Sequence, residues 1–238
     1  AASDVYKRQK NWRLIEMSGK LIVIEGLDGS GKSTQMQCLT EKLDAVGAAY
    51  KRIKLPNYSS PSCSLVNMYL KGEFGKKADD VNAYAASSFY AVDRFASFKQ
   101  VWGEDYLNGS VILADRYATS NAVHQMVKLP EEQWDEYLSW LEDYEYVKMG
   151  IPKPTAVIFL DMPIEVSQKL MSERYNGDEK KKDVHEADTE YLRKCRRAAF
   201  YAADKLSWNV INCTEGERVK SIEEIADEIF EVVKKEIL

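Results

Sequence analysis

Positive charge is scarce in this sequence. Its 238 residues carry a net charge of −5, so there is no global basic field to draw in nucleic acid, and any cationic site must be local. A cysteine framework is also missing. Cys38, Cys63, Cys195 and Cys213 are scattered, with no CxxC pair. That usage fits reduced, packed thiols of a cytoplasmic protein and excludes a disulfide scaffold or a paired-cysteine zinc site. No apolar run approaches the ~18 residues of a membrane span, and no internal repeat is visible. What remains is the composition and length of one α/β domain with a sizeable core.

Residues 1–16, AASDVYKRQKNWRLIE, contain no apolar stretch of the kind a secretory signal needs. Met17 then opens MSGKLIVIEG, which leads straight into a strand pattern. The expectation is a non-native extension or disordered leader over 1–16 and a single domain over 17–238. The leader holds four basic and two acidic residues, so without it the net charge falls from −5 to −7.

Along the chain, buried-strand patterns alternate with helical ones. KLIVIE (20–25), AAYKRIKL (48–55), SVILADR (110–116), TAVIFLDM (155–162) and WNVINC (208–213) read as strands. Helices are expected over 32–46, with Met36, Leu39, Leu43 and Val46 at helical spacing and Gly47 ending it. Further helices are expected over 64–72, 79–102, 131–149, 163–173, 187–206 and 221–236. The stretch ERYNGDEKKKDVHE is too polar and charged to build a core and reads as a surface loop. This alternation implies a parallel sheet covered by helices on both faces.

The segment GLDGSGKST, from Gly26 to Thr34, satisfies G-x-x-x-x-G-K-[ST]. Its glycines permit backbone angles closed to other residues. The N–H groups of such a loop point inward at a helix N-terminus and make an anion nest. Lys32 is expected to reach the β- and γ-phosphates and Ser33 to hold Mg²⁺. Gly26, Asp28, Gly29, Ser30, Gly31, Lys32, Ser33 and Thr34 are therefore assigned to a nucleoside triphosphate. Strand before and helix after distinguish this from an ordinary glycine turn.

A triphosphate loop does not name a reaction. No [NT]KxD element for reading guanine is present, and the chain is short for a motor or transporter ATPase. A small kinase needs an acceptor site with its own positive charge, and two Asp-Arg pairs supply candidates. Asp115 and Arg116 follow a buried strand and so fall at its carboxyl end, where open α/β sheets bind ligands. Asp115 is there a Mg²⁺-side carboxylate and Arg116 a phosphate fork; the competing reading is a structural ion pair. Arg94, after Asp93, lies mid-helix among Phe89, Tyr90 and Phe95; its competing reading is a surface arginine.

The motifs IEGLDGSGKST, FYAVDR, DRYATSN and FLDMPIEV, with a charged segment before the penultimate helix, resemble the thymidylate kinase family of nucleoside monophosphate kinases, in its bacterial type with a basic lid. The resemblance runs from about Gly19 to the C-terminus. It implies the P-loop NTPase three-layer fold with a mobile lid at about 174–186, and transfer of the ATP γ-phosphate to dTMP with Mg²⁺. It also implies a homodimer. On this resemblance, Asp28 meets the acceptor's sugar 3′-hydroxyl, Tyr90 stacks on thymine, Arg94 reaches the base edge and Arg116 holds the acceptor phosphate. Ser120, Asn121, His124 and Gln125 fall where the family lines the thymine pocket. His124 takes a position often held by an aromatic and reads as a pocket wall.

Two departures stand out. Many members carry an arginine near Pro56, and LPNYSS has none; Asn57 or Tyr58 would have to substitute. Eukaryotic members carry an arginine where this chain has Gly29, so the transition-state charge must come from elsewhere. The lid cations Arg174, Lys180, Lys181 and Lys182 are the source this reading assigns, with Arg174 first. Two alternatives stay open: a different nucleoside monophosphate or deoxynucleoside kinase, and a catalytically silent ATP-binding regulator.

Overall fold

A computed structural model describes residues 19–75, 77–174 and 189–237. Its centre is a five-stranded parallel sheet of order β2-β3-β1-β4-β5. The strands are β1 (Lys20–Gly26), β2 (Tyr50–Lys54), β3 (Val111–Asp115), β4 (Ala156–Asp161) and β5 (Asn209–Asn212). Successive strand residues alternate between faces. Leu21, Val23, Ile112, Ala114 and Phe159 therefore join one core, and Ile22, Ile24, Leu113, Ile158 and Leu160 the other. The inner strands β1, β3 and β4 are buried on both faces, which is why they read as nearly unbroken apolar runs, whereas edge strands β2 (YKRIK) and β5 (NVIN) are only partly buried.

Helices close the two faces. On one lie α1 (Lys32–Ala45) and, near the chain end, the helix Ile222–Ile237, which contribute Met36, Leu39, Leu43, Ile225, Ile229 and Val233. On the other lie α2 (Ser64–Leu70), α3 (Ala83–Ser97), α4 (Gly103–Leu107), α5 (Thr119–His124), α6 (Trp134–Glu142) and, following α7 (Ile164–Arg174), α8 (Thr189–Leu206). Buried Ala198, Ala199, Ala202 and Ala203 let α8 pack close within that second core. The three-layer parallel fold expected from the sequence is present.

Boundaries differ in instructive places. The single helix expected over 79–102 begins at Ala83, because the Asn82 side chain accepts from the Ala85 N–H at 2.8 Å and caps it. Past Ser97 it widens into a π-helical stretch, Phe98–Trp102, before α4. The expected helix over 131–149 is three pieces: a 3₁₀ turn, α6, and a π-helical stretch Asp143–Lys148. The short α5 and a small hairpin, β6 (Thr214–Glu215) with β7 (Arg218–Val219), were not visible in the pattern. Residues 1–16 lie outside the described residues.

Trp102 anchors the acceptor side of the core. It is fully buried and meets Phe98, Tyr106 and Tyr117 edge-on, at ring separations of 4.8, 6.0 and 6.2 Å. Its indole N–H has no hydrogen-bond partner among the described residues. Trp102→Ala is therefore expected to cost about 3–5 kcal/mol in urea unfolding. Trp102→Phe should cost clearly less, because it removes an N–H that makes no bond. Equal losses would mean that the N–H, not the packing, carries the stability.

Candidate active site

The site is built where three strands end. β1 runs into a loop whose backbone needs glycine at two places: Gly29 at φ +78° and Gly31 at φ +87°. Gly29 is also tightly packed, since an added Cβ would meet the Ser167 carbonyl oxygen at 2.7 Å. The Ser30 N–H closes a turn onto the Leu27 carbonyl at 3.2 Å, and α1 starts at Lys32 with its N–H groups facing the loop. The Lys32 ammonium donates to the Gly26 and Leu27 carbonyls, both at 2.8 Å. Burial and the nearby Arg116 charge push its pKa down to about 8, against the pull of Asp28. Ser33 and Thr34 are exposed at the head of α1.

Across from this loop lies a cavity of about 270 Å³. Asp28, Tyr90, Arg94, Arg116, Ser120, Asn121, His124 and Gln125 all line it. Every residue that the sequence assigned to the acceptor thus falls on one concave surface. Asp28 belongs to both the loop and the cavity, which makes the two halves contiguous.

The charges around the cavity are held in pairs. Arg116 adopts φ +68°, rare for a residue with a side chain. Its guanidinium donates to Asp28 Oδ1 at 2.5 Å and to His124 Nε2 at 3.1 Å. Burial alone would raise the Asp28 pKa, but the positive charges of Arg116 and Lys32 outweigh it and hold the carboxyl well below its usual range. Asp115 is buried, with the Lys54 ammonium 3.9 Å away. Asp93, from the other Asp-Arg pair, is structural. It accepts from the Asn57 N–H at 2.9 Å and the Ser62 hydroxyl at 2.7 Å, fixing the loop after β2.

Two of these side chains are engaged within the protein, and for Arg94 the competing surface reading falls away. Arg94 is not a surface arginine: it is buried, and its Nε and one Nη bind Glu145 at 2.9 and 2.6 Å. Only the other Nη makes no hydrogen bond among the described residues, so a ligand would meet that edge alone. Ser120 lines the cavity, but its hydroxyl donates to Glu25, 2.8 Å from Oε1. Its proton is committed to the wall, which leaves the hydroxyl oxygen as an acceptor toward the cavity. The side-chain amide of Asn121, by contrast, makes only long bonds of 3.4–3.5 Å to Glu145 and the Ser87 carbonyl among the described residues, and Gln125 Oε1 is buried with no partner among them. Tyr90 sits edge-on to Tyr69, rings 6.5 Å apart.

Sequence reading missed Glu25, Glu145, Lys54 and Tyr191. Glu25 is fully buried and receives the Tyr117 N–H and the Thr119 and Ser120 hydroxyls. A carboxylate inside a strand buried on both faces was itself a signal, since it must have partners. Lys54 and Tyr191 line the cavity from β2 and α8. Arg174 is the last residue of α7. Its side chain and the lid lysines Lys180, Lys181 and Lys182 lie outside what the structure describes.

Residues 24–229 match the protein-family description Thymidylate kinase. The chain belongs to the thymidylate kinase family. A thymidylate kinase from Mycobacterium tuberculosis is 31% identical over 190 residues, covering 76% of this chain and 84% of that protein. A probable thymidylate kinase from Pyrococcus horikoshii is 28% identical over 223 residues, covering 93% and 99%. A solved thymidylate kinase structure from Candida albicans superposes with a TM-score of 0.67 at 24% identity, over 92% of each chain, and supports the fold. The chain is thus a nucleoside monophosphate kinase, a phosphotransferase that phosphorylates dTMP with ATP.

For Lys32 to meet phosphate, its ammonium would have to leave the Gly26 and Leu27 carbonyls. Lys32→Ala should keep its melting transition near the parent's, because the lost ammonium is buried at a cost. It should lose ATP binding by calorimetry and turnover together. Near-parental turnover in the folded variant would remove Lys32 from the site.

Proposed function

We propose that ATP lies on the loop Gly26–Thr34 and dTMP in the adjoining cavity, with in-line transfer of the γ-phosphoryl group between them. The observation that carries this reading is the convergence of eight acceptor-side residues on one cavity that shares Asp28 with the phosphate loop. Phosphoryl transfer is chiefly positioning and charge stabilisation, and the side chains here suit both. Lys32 takes the β- and γ-phosphates. Arg116 offers a planar fork to the acceptor phosphate. Asp28 accepts from the sugar 3′-hydroxyl, Tyr90 stacks on the base, and the spare Nη of Arg94 donates to a base carbonyl. Asn121, His124 and Gln125 line the base and sugar. Lys54, two residues before Pro56 and on the cavity rim, is a cation for the place where many relatives carry an arginine.

The donor set suits Mg²⁺. Among the described residues no group of three or more His, Cys, Asp or Glu could hold a metal alone. Mg²⁺ commonly takes one or two protein oxygens and completes its shell with phosphates and water, and the Ser33 hydroxyl and the Asp115 carboxylate are such oxygens. When bound, the ion would neutralise charge on the β/γ oxygens.

Arg174 and the basic segment after it, the bacterial-type lid at about 174–186, supply the remaining positive charge and exclude water. Exposed Val92 on α3, with Leu65 on α2, supports a homodimer. The acidic net charge argues against nucleic acid, and the free cysteines support a cytoplasmic location. No helix among the described residues is long and apolar enough to cross a membrane.

A coupled ADP-release assay across dTMP, dUMP, dCMP, dGMP, AMP and thymidine tests the reading. Turnover should be highest with dTMP. Arg94→Ala should raise the KM for dTMP by roughly tenfold or more, as expected for a lost charged hydrogen bond of ~1.5–3 kcal/mol, and leave the KM for ATP nearly unchanged. Equal effects on both substrates would move Arg94 out of the acceptor site. ATP binding without any acceptor product would favour a silent ATP-binding regulator.

A further inference from the structure

The link between Arg116 and His124 determines a protonation state. A guanidinium only donates. His124 Nε2, 3.1 Å from an Arg116 Nη, must therefore present its lone pair. The single proton of the neutral ring is then on Nδ1. That atom lies 3.8 Å from the sulfur of Cys195, which can accept weakly. The second anchor is on the backbone: the Tyr191 hydroxyl donates to the His124 carbonyl at 3.1 Å. Tyr191 and Cys195 stand one turn apart on α8, so one helix grips the histidine at its ring and at its main chain.

Arg116 needs such a brace. Its backbone is in the left-handed region, a conformation that persists only when the surroundings enforce it. The main chain is tied by the Arg116 N–H to the Ile24 carbonyl at 3.2 Å. Its side chain is stretched between two acceptors, Asp28 on one arm and His124 on the other. Without the imidazole lone pair, the arm of Arg116 that faces away from Asp28 loses the hydrogen bond it makes among the described residues, and the pull of Asp28 on the fork is less well balanced.

We propose that His124, as the neutral tautomer protonated on Nδ1, is a positioning residue that holds the Arg116 fork open toward the acceptor phosphate. The proposal deepens the assignment of Arg116 to that phosphate and rests on it. It gives His124 a role besides lining the cavity, because the ring supplies an acceptor that no hydrocarbon ring of similar shape supplies.

The test has a spectroscopic and a kinetic arm. The chain has two histidines, His124 and His185, so ¹⁵N-histidine labelling with a His185→Gln variant assigns both. Long-range nitrogen–proton correlation spectra of the ligand-free protein near pH 7.5 should show His124 protonated on Nδ1 alone. The Nε2–H tautomer, or a doubly protonated ring, overturns the proposal. In kinetics, His124→Phe keeps a flat ring but no lone pair. It should raise the KM for dTMP about tenfold, as expected for one lost hydrogen bond, with kcat and the KM for ATP within about twofold. His124→Gln, which restores an acceptor, should recover most of that loss.

Thymidine, measured as a competitive inhibitor, separates this role from a wall. It has no phosphate, so His124→Phe should leave its affinity unchanged. An equal loss for thymidine and dTMP, or identical behaviour of the Phe and Gln variants, defeats the proposal. Arg116→Ala is the control for the reading beneath it. If that variant binds dTMP normally, the phosphate assignment itself is wrong. If it loses dTMP while His124→Phe does not, only the role of His124 fails.

Discussion

The acceptor half of this protein depends on a carboxylate placed where a carboxylate ought not to be. Glu25 is fully buried at the end of the central strand. Removing an ionisable group from water is costly unless its oxygens are hydrogen-bonded. Here the Tyr117 N–H and the hydroxyls of Thr119 and Ser120 converge on it. All three come from the segment that leaves β3. The requirement to satisfy Glu25 therefore folds that segment back across the end of β1, starts α5 there, and forces the turn at Arg116. The cavity lies beside the phosphate loop because one buried group has to be satisfied by its neighbour.

The cations of the site are stored in two different ways, and the difference has functional meaning. Arg94 and Glu145 form a bidentate pair with almost no exposure. Breaking such a pair leaves an uncompensated buried charge and is strongly unfavourable, so this edge of the cavity is fixed before any ligand arrives. Arg116, Asp28 and Lys32 are partly exposed. On the proposed assignment each has a further partner to take, phosphate for Arg116 and Lys32 and a hydroxyl for Asp28, so ligand entry would exchange contacts there. The cavity would then be rigid at its base end and rearrange at its phosphate end, which suits a reaction in which charge moves only at that end.

Much of this was legible in the sequence. The apolar runs gave β1, β3 and β4 because strands covered on both faces show no polar alternation, while the polar edge strands β2 and β5 stood out by their place between helices. The glycines, Lys32 and the Asp-Arg pair after β3 carried their chemistry in their spacing. Glu145 was not legible, because it sits in an acidic, aromatic stretch where helical periodicity points elsewhere. A π-helical turn alters that periodicity and brings it onto Arg94. The Arg116–His124 bond joins an irregular turn to the C-terminal end of a one-and-a-half-turn helix. No periodicity predicts it, and only the packing of α8 against α5 makes it necessary.

Gly29 ties the phosphate loop to the rest of the machinery. An added Cβ there would meet the Ser167 carbonyl oxygen at 2.7 Å and Met171 Cγ at 2.9 Å, both on α7. The loop therefore packs directly on that helix, and its backbone angle independently disfavours a side chain. A loop arginine of the kind some relatives use has no room at this position unless α7 moves away. The helix that closes off this option continues for three residues beyond Met171 and ends at Arg174, about 4.5 Å farther along its axis. Steric exclusion at the loop follows from this contact, and on the proposed role of Arg174 the same helix would carry the cation that the loop lacks. A chain that packs α7 against Gly29 gives up a charge within the loop and gains a short, rigid connection from the loop to the segment that follows the helix.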